Sequence, residues 1–170
     1  MVISEDYRKL QQELHKNPDY GRASLFFSPL VKQFVQEHDI QSISDYGAGK
    51  KVLWEALGKF EPYYPYDPAF PEYGVPMPAE RVCCIDTLEH IEPELIDNVL
   101  DDLKKIVVKY GFFTIHLGPA KKTLADGRNA HLLQKPVEWW EEKISERFRI
   151  LSMTEHDICG HGLWLIVSPR

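Results

Sequence analysis

An acid followed by two glycines, Asp45-Tyr46-Gly47-Ala48-Gly49, lies between a short strand-like segment and a helical pattern. Glycines at a strand-to-helix turn allow the backbone to turn sharply and to approach a ligand closely. The helix that follows offers unpaired N–H groups and the positive end of its dipole, which suit a carboxylate. We therefore expect residues 45–49 to form one wall of a ligand site.

Two further acidic positions follow this run. Asp67 ends the next strand-like segment, roughly 20 residues after the glycines, where a carboxylate can accept hydrogen bonds from both hydroxyls of a ribose. Asp86 opens a third motif, 86–91 with the sequence DTLEHI, which follows an apolar strand and precedes a helix. The first two features are typical of a site for a ribose-containing cofactor, although a tight turn with a surface acid would produce the same pattern.

Two histidines are candidates for a general base, because the pKa of imidazole lies near neutrality. His116 ends a strand at the carboxyl edge of the sheet, where ligands bind in open α/β folds. His131 lies in the long loop 118–135, and loops of that length inside a compact domain are usually functional. We expect the same loop to bind a small polar substrate through Asp126, Arg128 and Asn129.

The sequence predicts no metal site and no disulfide framework. His156, Cys159 and His161 do not have a standard spacing for structural zinc, and no fourth ligand accompanies them. The other two cysteines, Cys83 and Cys84, lie in an apolar run and are expected to be buried, reduced thiols.

The elements that position these residues form a single domain over residues 1–170. Apolar periodicity and cap residues predict a helical N-terminal cap over residues 1–38. It has one helix after Ser4 and a second that begins at Ser28-Pro29. Residues 39–170 form a Rossmann-like core, because strand-like runs alternate there with helical ones and so predict a mostly parallel sheet.

The second half of this core supplies two further expectations. A helix that begins at Pro93 and includes Val107 is expected to end at Gly111, before the strand that carries His116. The last two strands are joined by a short connection, so they must be antiparallel, because a parallel pair needs a longer crossover. The predicted fold class is therefore an α/β sandwich with a C-terminal antiparallel hairpin.

Composition narrows the function. The chain has 170 residues, of which 44% are hydrophobic, enough for one buried core. The formal net charge of −6 argues against a protein that coats nucleic acid, which would normally be basic. No apolar run is long enough for a membrane span, and the polar N-terminus does not resemble a secretory signal. These features predict a cytoplasmic location and a small-molecule partner.

Together the three motifs resemble those of class I S-adenosylmethionine-dependent methyltransferases. Asp45-x-Gly47-x-Gly49 is similar to the first motif of that family, and Asp67 matches its ribose-binding acid. The run 86–91 is similar to the Asp-Val-Leu-Glu-His-Ile signature after the family's fourth strand. The terminal hairpin is also typical of that fold. The resemblance implies S-adenosyl-L-methionine as cofactor, bound by Tyr20, Gly21, Asp45, Tyr46, Gly47, Ala48, Gly49, Asp67, Pro68, Asp86, Thr87 and Leu88.

We also expect Glu89 and His90 to contribute to substrate binding, although the family resemblance implies a mostly structural or cofactor-side role for His90. The chain departs from the family pattern at Lys51, where a third glycine is common. It also departs after Asp67, because the following proline-rich segment is too short for the helix, strand and helix that the family usually has there. We expect a minimal version of the fold, with Phe70 and Tyr73, or the residues near Asp86, beside the adenine.

These inferences predict an enzyme that transfers a methyl group to a small polar acceptor. Two alternatives stay open: a non-catalytic or partner-dependent module that binds S-adenosylmethionine, and a nucleic-acid or protein methyltransferase. The negative charge and the lack of an extra recognition domain count against the latter. A nicotinamide-binding reductase domain is disfavoured by the DTLEHI motif and by the terminal hairpin.

Overall fold

The computed structural model describes all residues from Met1 to Arg170. Its helices and strands alternate through most of the chain. In chain order they are α1 (Glu5–Leu14), α2 (Ser24–Glu37), β1 (Ile43–Tyr46), α3 (Val52–Ala56), β2 (Tyr63–Tyr66), β3 (Ala79–Ile85), α4 (Ile96–Ile106), β4 (Val107–His116), α5 (Val137–Ser145), β5 (Phe148–His156) and β6 (Gly162–Pro169). Short 3₁₀ turns lie at Pro71–Tyr73, Leu88–His90 and Pro93–Leu95.

The six strands form one sheet in the order β2-β1-β3-β4-β6-β5. Strands β2, β1, β3 and β4 are parallel, and β6 is antiparallel to both β4 and β5. The predicted mostly parallel sheet with an antiparallel C-terminal hairpin is therefore confirmed. No helix is long and apolar enough to cross a membrane.

The predicted shortening lies between β2 and β3. Only the 3₁₀ turn at Pro71–Tyr73 occupies this segment, and no strand pairs with the outer side of β2. Strand β2 is thus an edge strand, and it contains Pro65, a residue that sheets accept at their edges.

Two apolar layers cover the two faces of the sheet. Side chains of a strand alternate between faces, so Val82 and Cys84 pack towards α4 and α5, whereas Cys83 and Ile85 pack towards α2 and α3. Both cysteines are buried and free, as the sequence predicts. Helix α4 places five buried side chains on one stripe, at the helical spacing expected for a face packed on a sheet: Ile96, Val99, Leu100, Leu103 and Ile106.

The two N-terminal helices play different structural roles. Helix α1 is capped by Ser4, whose Oγ accepts a hydrogen bond from the Tyr7 N–H at 3.3 Å. Helix α2 instead packs Phe27, Val31 and Phe34 into the layer that it shares with α3. In the structure only α1 is placed as a cap, and α2 is part of the sandwich.

Helix α2 begins at Ser24, four positions before the predicted start at Ser28-Pro29, so the proline lies inside the helix. A proline there cannot donate to the carbonyl one turn earlier, which is that of Leu25. The Ser28 hydroxyl donates to this Leu25 carbonyl at 3.0 Å and replaces the missing bond. Ser28, which the sequence predicts at the start of the helix, is thus the residue that lets the helix continue through the proline.

The predicted helix end at Gly111 is also corrected. Helix α4 ends at Ile106 and β4 begins at the next residue, so Gly111 lies inside a strand. A Cβ at Gly111 would lie 2.7 Å from Val167 Cγ2 and 2.9 Å from the Phe113 ring. The glycine is therefore required by close packing between β4 and β6 rather than by a break in the chain.

Asp45 is a buried acid on the α2 and α3 side of the sheet. Its side chain is only 2% exposed, and its Oδ2 accepts a hydrogen bond from the Tyr63 hydroxyl of the neighbouring strand. Burial raises the pKa of Asp45 to about 7, because the interior disfavours the charged form.

This pKa predicts a pH-dependent contribution to stability. An unfolded aspartate has a pKa near 3.9, so between about pH 4 and about pH 7 the folded state binds the extra proton. The stabilisation is therefore present at low pH and is lost as the pH rises through 7. Asp45→Asn mimics the protonated form, so we expect its stability relative to the wild type to rise with pH, by at most about 1.4 kcal/mol per pH unit.

Urea unfolding at about pH 4.5 and about pH 7.5 measures this difference. Asp6→Asn, at an exposed position of α1, is the matched control and should show the pH dependence of the wild type. An equal pH dependence for Asp45→Asn and the wild type would contradict the raised pKa of buried Asp45.

Candidate active site

A cavity of about 720 Å³ opens at the carboxyl edge of the parallel strands. The strand order brings four chain segments across its floor in sequence: Asp67 and Pro68 after β2, the glycines after β1, Asp86 and Thr87 after β3, and His116 at the end of β4. The volume lies in the range of small-molecule and cofactor sites, roughly 300–1,000 Å³.

The glycine loop is fixed by its own backbone and by Thr87. Gly47 has φ +85°, and a Cβ there would lie 2.2 Å from Thr87 Oγ1, so no other residue fits. The N–H groups of Gly47 and Ala48 donate to the Tyr66 carbonyl at 2.8 and 3.0 Å. Lys51, at the position of the family's third glycine, has φ +58° and so keeps a glycine-like backbone.

The helix after this loop is short. Helix α3 has only five residues, so its dipole is a weak attraction for a carboxylate. The close approach of a ligand to the loop therefore depends on the glycine backbone itself.

Asp67 connects the end of β2 to this loop. Its Oδ2 accepts a hydrogen bond from the Gly49 N–H at 2.9 Å, and its Oδ1 accepts one from the Ala69 N–H at 2.9 Å. Burial raises the pKa of Asp67, and the two N–H donors oppose that rise. Each carboxylate oxygen has a further lone pair, so Asp67 can accept additional hydrogen bonds from a ligand in the cavity.

Helix α1 closes one side of the cavity through His15. A Cβ at Gly49 or at Gly21 would lie 3.1 or 3.3 Å from His15 Cε1, so both glycines make room for the imidazole. Burial lowers the pKa of His15 to about 4, and the nearby Lys50 charge acts in the same direction. Lys50 Nζ in turn donates to the Asn17 and Tyr20 carbonyls at 2.7 and 3.0 Å and fixes the chain break after α1.

A hydrogen-bond network ties α1 to the third motif. Tyr20 Oη donates to Gln11 Oε1 at 3.0 Å, and Gln11 Nε2 donates to Tyr7 Oη at 2.8 Å. The Tyr7 hydroxyl donates to the His90 carbonyl, and Tyr20 Oη lies 3.4 Å from His90 Nδ1. Ser4 adds a second tie through its N–H and hydroxyl, which donate to Glu92 at 2.8 and 3.0 Å.

Three residues of this wall, Tyr7, Gln11 and His15, line the cavity and were missed by sequence reasoning. The sequence does contain a signal for them, because these three polar side chains recur every four residues and so share one helix face. Polar residues at that spacing are unusual on a face that packs on apolar residues. Tyr20 and Gly21 do line the cavity, in the chain break where the sequence placed them.

Two residues expected to bind the cofactor point away from the cavity. Asp45 faces the α2 and α3 layer, because alternate β1 side chains point to opposite faces. Leu88 is fully buried in the core under α4. Phe70 and Tyr73 are likewise absent from the cavity lining. Tyr73 Oη donates to the Gly49 carbonyl at 2.7 Å, and its ring stacks on Phe70, so this pair supports the loop from outside.

Three histidines from distant parts of the chain meet at the other end of the cavity. The ring centroid of His131 lies 4.7 Å from that of His90 and 4.9 Å from that of His116. His131 Nδ1 lies 2.7 Å from the Gly118 carbonyl, to which it donates as the N–H tautomer, so Nε2 carries the lone pair. Burial lowers the pKa of His131 and lowers that of His90 to about 3.

Two acids adjoin these histidines. Glu89 is fully buried, and its Oε1 accepts a hydrogen bond from the His116 N–H at 2.9 Å. Burial and the neighbouring Asp86 raise the pKa of Glu89 well above its usual range. Asp86 lines the cavity with a left-handed backbone, φ +45°, and its Oδ1 accepts a hydrogen bond from Thr114 Oγ1 at 2.6 Å.

The remaining loop residues stay outside the cavity lining. Asp126 and Arg128 are exposed and pair with each other at 2.8 Å. Asn129 exchanges two 2.9 Å hydrogen bonds with the Ala120 backbone and accepts one from the His131 N–H at 3.0 Å. These three side chains hold the loop in shape. Of the candidate residues in this loop, only His131 lines the cavity.

The histidines and cysteine of the last hairpin do not converge on one point. His156 Nδ1 accepts a hydrogen bond from the Ile158 N–H at 3.0 Å, and exposed His161 pairs with Glu155 at 3.1 Å.

The sequence matches no family model and no curated protein. Solved structures do match. A 1,6-didemethyltoxoflavin-N1-methyltransferase from Burkholderia thailandensis, solved with its substrate and S-adenosylhomocysteine, aligns with a TM-score of 0.65 and 14% identity over 100% of this chain and 92% of that one. The N-methyltransferase NodS from Bradyrhizobium japonicum, solved with S-adenosylhomocysteine, aligns with a TM-score of 0.64 and 10% identity over 98% and 100% of the two chains.

A third similar structure is the magnesium protoporphyrin IX methyltransferase of Synechocystis, with a TM-score of 0.63 and 9% identity over 98% of this chain and 95% of that one. At identities this low, the similarity supports a shared fold. It does not carry the substrates of the three enzymes over to this chain. The chain has the fold of the class I S-adenosylmethionine-dependent methyltransferases.

Proposed function

We propose that the protein transfers a methyl group from S-adenosylmethionine to a small acceptor. The observation that carries the proposal is the meeting, in one cavity, of the glycine loop, the Asp67 carboxylate and the DTLEHI segment at the carboxyl edge of a methyltransferase-like sheet. All three of the similar structures were solved with S-adenosylhomocysteine, the product that such a reaction leaves behind.

The polar groups of the cavity suggest an orientation for the cofactor. Asp67 would accept the ribose hydroxyls through the lone pairs that its two N–H donors leave free. The backbone at Gly47 would allow close approach of the cofactor, and Tyr20 with His15 would close over its methionine end. Pro68, Asp86 and Thr87 line the neighbouring wall, where the adenine would lie in the absence of the family's third strand.

In methyl transfer the protein mainly orients the nucleophile and excludes water. When bound, S-adenosylmethionine supplies a methyl group on a sulfonium, which is already reactive towards a nucleophile. The residues of the cavity must hold the nucleophile in line with that methyl group, and such positioning can contribute about 7–11 kcal/mol. Burial under α1 would keep water away from the reacting atoms.

The acceptor would lie at the histidine end. His131 presents the Nε2 lone pair towards the cavity, and burial favours its neutral form, so it can accept a proton from a hydroxyl or amine. His116 lies beside it and is the second candidate for this role. Lys121 and Lys122 lie on the cavity rim, which suits an acceptor with a negative group. The cavity is partly covered by α1, and this cover favours a small molecule over a nucleic acid or a protein.

The cofactor proposal predicts selective binding. By isothermal titration calorimetry we expect S-adenosylmethionine and S-adenosylhomocysteine to bind more tightly than NADH or NADPH. Asp67→Ala should weaken that binding by about 1.5–3 kcal/mol, the range for hydrogen bonds to a charged group. Gly47→Val should abolish it, because its side chain would collide with Thr87 and oppose the positive φ.

Glu72→Ala is the control for Asp67→Ala, because Glu72 is an exposed neighbouring acid outside the cavity lining. Urea unfolding of each variant separates loss of the ligand contact from loss of the fold. Tighter binding of a nicotinamide dinucleotide, or unchanged binding by a folded Gly47→Val, would refute the proposed cofactor site.

The acceptor proposal predicts variants that lose turnover but keep their affinity for the cofactor product. His131→Ala and His116→Ala should leave the affinity for S-adenosylhomocysteine within a few-fold. Whichever residue acts as general base should lose about 10²–10⁴-fold in turnover, partly recovered at higher pH. Formation of S-adenosylhomocysteine with a panel of small phenols, amines and carboxylic acids gives the readout. Exposed His161→Ala is the control and should retain full turnover.

Two other results are informative for the same variants. A raised KM with unchanged kcat would assign the histidine to acceptor binding rather than to proton transfer. Cofactor retention with no turnover of any acceptor in the wild type would favour the non-catalytic module over the enzyme.

A further inference from the structure

Glu89, His90 and His131 form a buried carboxylate–imidazole cluster at the acceptor end of the cavity. One potential ligand atom from each of the three side chains lies within 4.8 Å of the other two. Glu89 and His131 are buried, and His90 is partly buried. One carboxylate and two imidazoles are a donor set that binds divalent transition metals and leaves positions open for other ligands.

The second observation concerns the Glu89 carboxylate, which is only partly satisfied by hydrogen bonds. Its Oε1 accepts the His116 N–H, but its Oε2 is buried and has no hydrogen-bond partner. A buried polar atom without a partner is destabilising and is uncommon in folded proteins, so its presence requires an explanation. A cation between Glu89 and the two histidines would supply the missing partner.

The His131 imidazole is held in a way that suits a metal ligand. His131 donates from Nδ1 to the Gly118 carbonyl, which orients the ring and leaves the Nε2 lone pair free. Metal-binding histidines are usually oriented by such a bond on the second nitrogen. The His90 backbone is held by the Tyr7 hydroxyl, while its Nδ1 has only a long, 3.4 Å contact with Tyr20 Oη.

We propose that Glu89, His90 and His131 bind one divalent transition metal ion such as Mn²⁺, Co²⁺ or Zn²⁺. Metal–ligand bonds to nitrogen and oxygen are about 2.0–2.2 Å long, so side-chain rotations must bring the three donors closer together than they now lie. Imidazole ligands favour these ions over Mg²⁺ and Ca²⁺, which prefer oxygen donors. The nearby Asp86 is held by Thr114 and stays outside this set.

The role of the ion rests on the proposed methyl transfer. An open position on the metal would bind an acceptor oxygen or nitrogen and make its proton easier to remove. His131 would then be a ligand rather than a base, and the proton would leave to solvent through the open side of the cavity. The acceptor atom would form its bond to the methyl carbon as the carbon–sulfur bond breaks, with the electron pair returning to sulfur. No oxidation or reduction is involved.

Metal binding can be tested without cofactor or acceptor. Wild-type protein treated with EDTA and then desalted is titrated with CoCl₂, ZnCl₂ and MgCl₂ by calorimetry, and Co²⁺ binding is also followed by visible absorption. We expect one Co²⁺ or Zn²⁺ per chain and much weaker binding of Mg²⁺. Glu89→Gln and His131→Ala should each weaken Co²⁺ binding by at least about tenfold.

Exposed His161→Ala is the matched control, because His161 and Glu155 could bind metal adventitiously at the surface. Circular dichroism checks that each variant is folded, and the wild-type Co²⁺ spectrum tests the site should one variant fail to fold. The proposal would be overturned if the wild type bound neither Co²⁺ nor Zn²⁺. It would also be overturned if folded Glu89→Gln and His131→Ala bound Co²⁺ with the affinity of the wild type. Because these titrations contain no S-adenosylmethionine, such a failure is distinguishable from a failure of the proposed cofactor site.

Discussion

The rest of the site depends on the two hydrogen bonds that the Asp67 carboxylate accepts. This carboxylate receives the Gly49 N–H through one oxygen and the Ala69 N–H through the other, so the end of β2 and the glycine loop after β1 form a single unit. Hydrogen bonds to a charged carboxylate are stronger than neutral ones. This bond helps to fix the floor of the cavity. Tyr73 supports the same loop from outside through the Gly49 carbonyl.

The opposite wall is built by a helix that buries polar groups. Tyr7, Gln11 and Tyr20 would be costly to bury alone, but each donates or accepts within one network that ends on His90. The network therefore does two things. It gives the buried Tyr7 and Gln11 side chains hydrogen-bond partners, and it ties the third motif to α1 through the His90 carbonyl.

Features encoded locally were accessible from the sequence. The glycine loop, the acid after β2 and the apolar run of β3 each show their role within a few residues, and the length of the segment after Asp67 excluded the missing strand. Predictions from local sequence were wrong where another group in the fold changed the role of a residue. Ser28 compensates the proline inside α2, and Gly111 is required by Val167 on another strand.

The acceptor end of the site shows the same limit more strongly. Glu89 and His90 follow β3, whereas His131 reaches them from a separate loop, and no spacing rule connects the two segments. The polar residues of that loop were expected at the cavity because of their chemical type. In the folded chain they bond to one another and to the loop backbone, since those partners are nearest.

The loss of the strand beyond β2 has a consequence for association between molecules. An edge strand presents unpaired N–H and C=O groups, which another chain can use to extend the sheet. Strand β2 is only four residues long, and Pro65 removes one donor from it. Both properties make it a poor template for an incoming strand. The shortened fold can thus expose this edge to solvent while discouraging edge-to-edge aggregation.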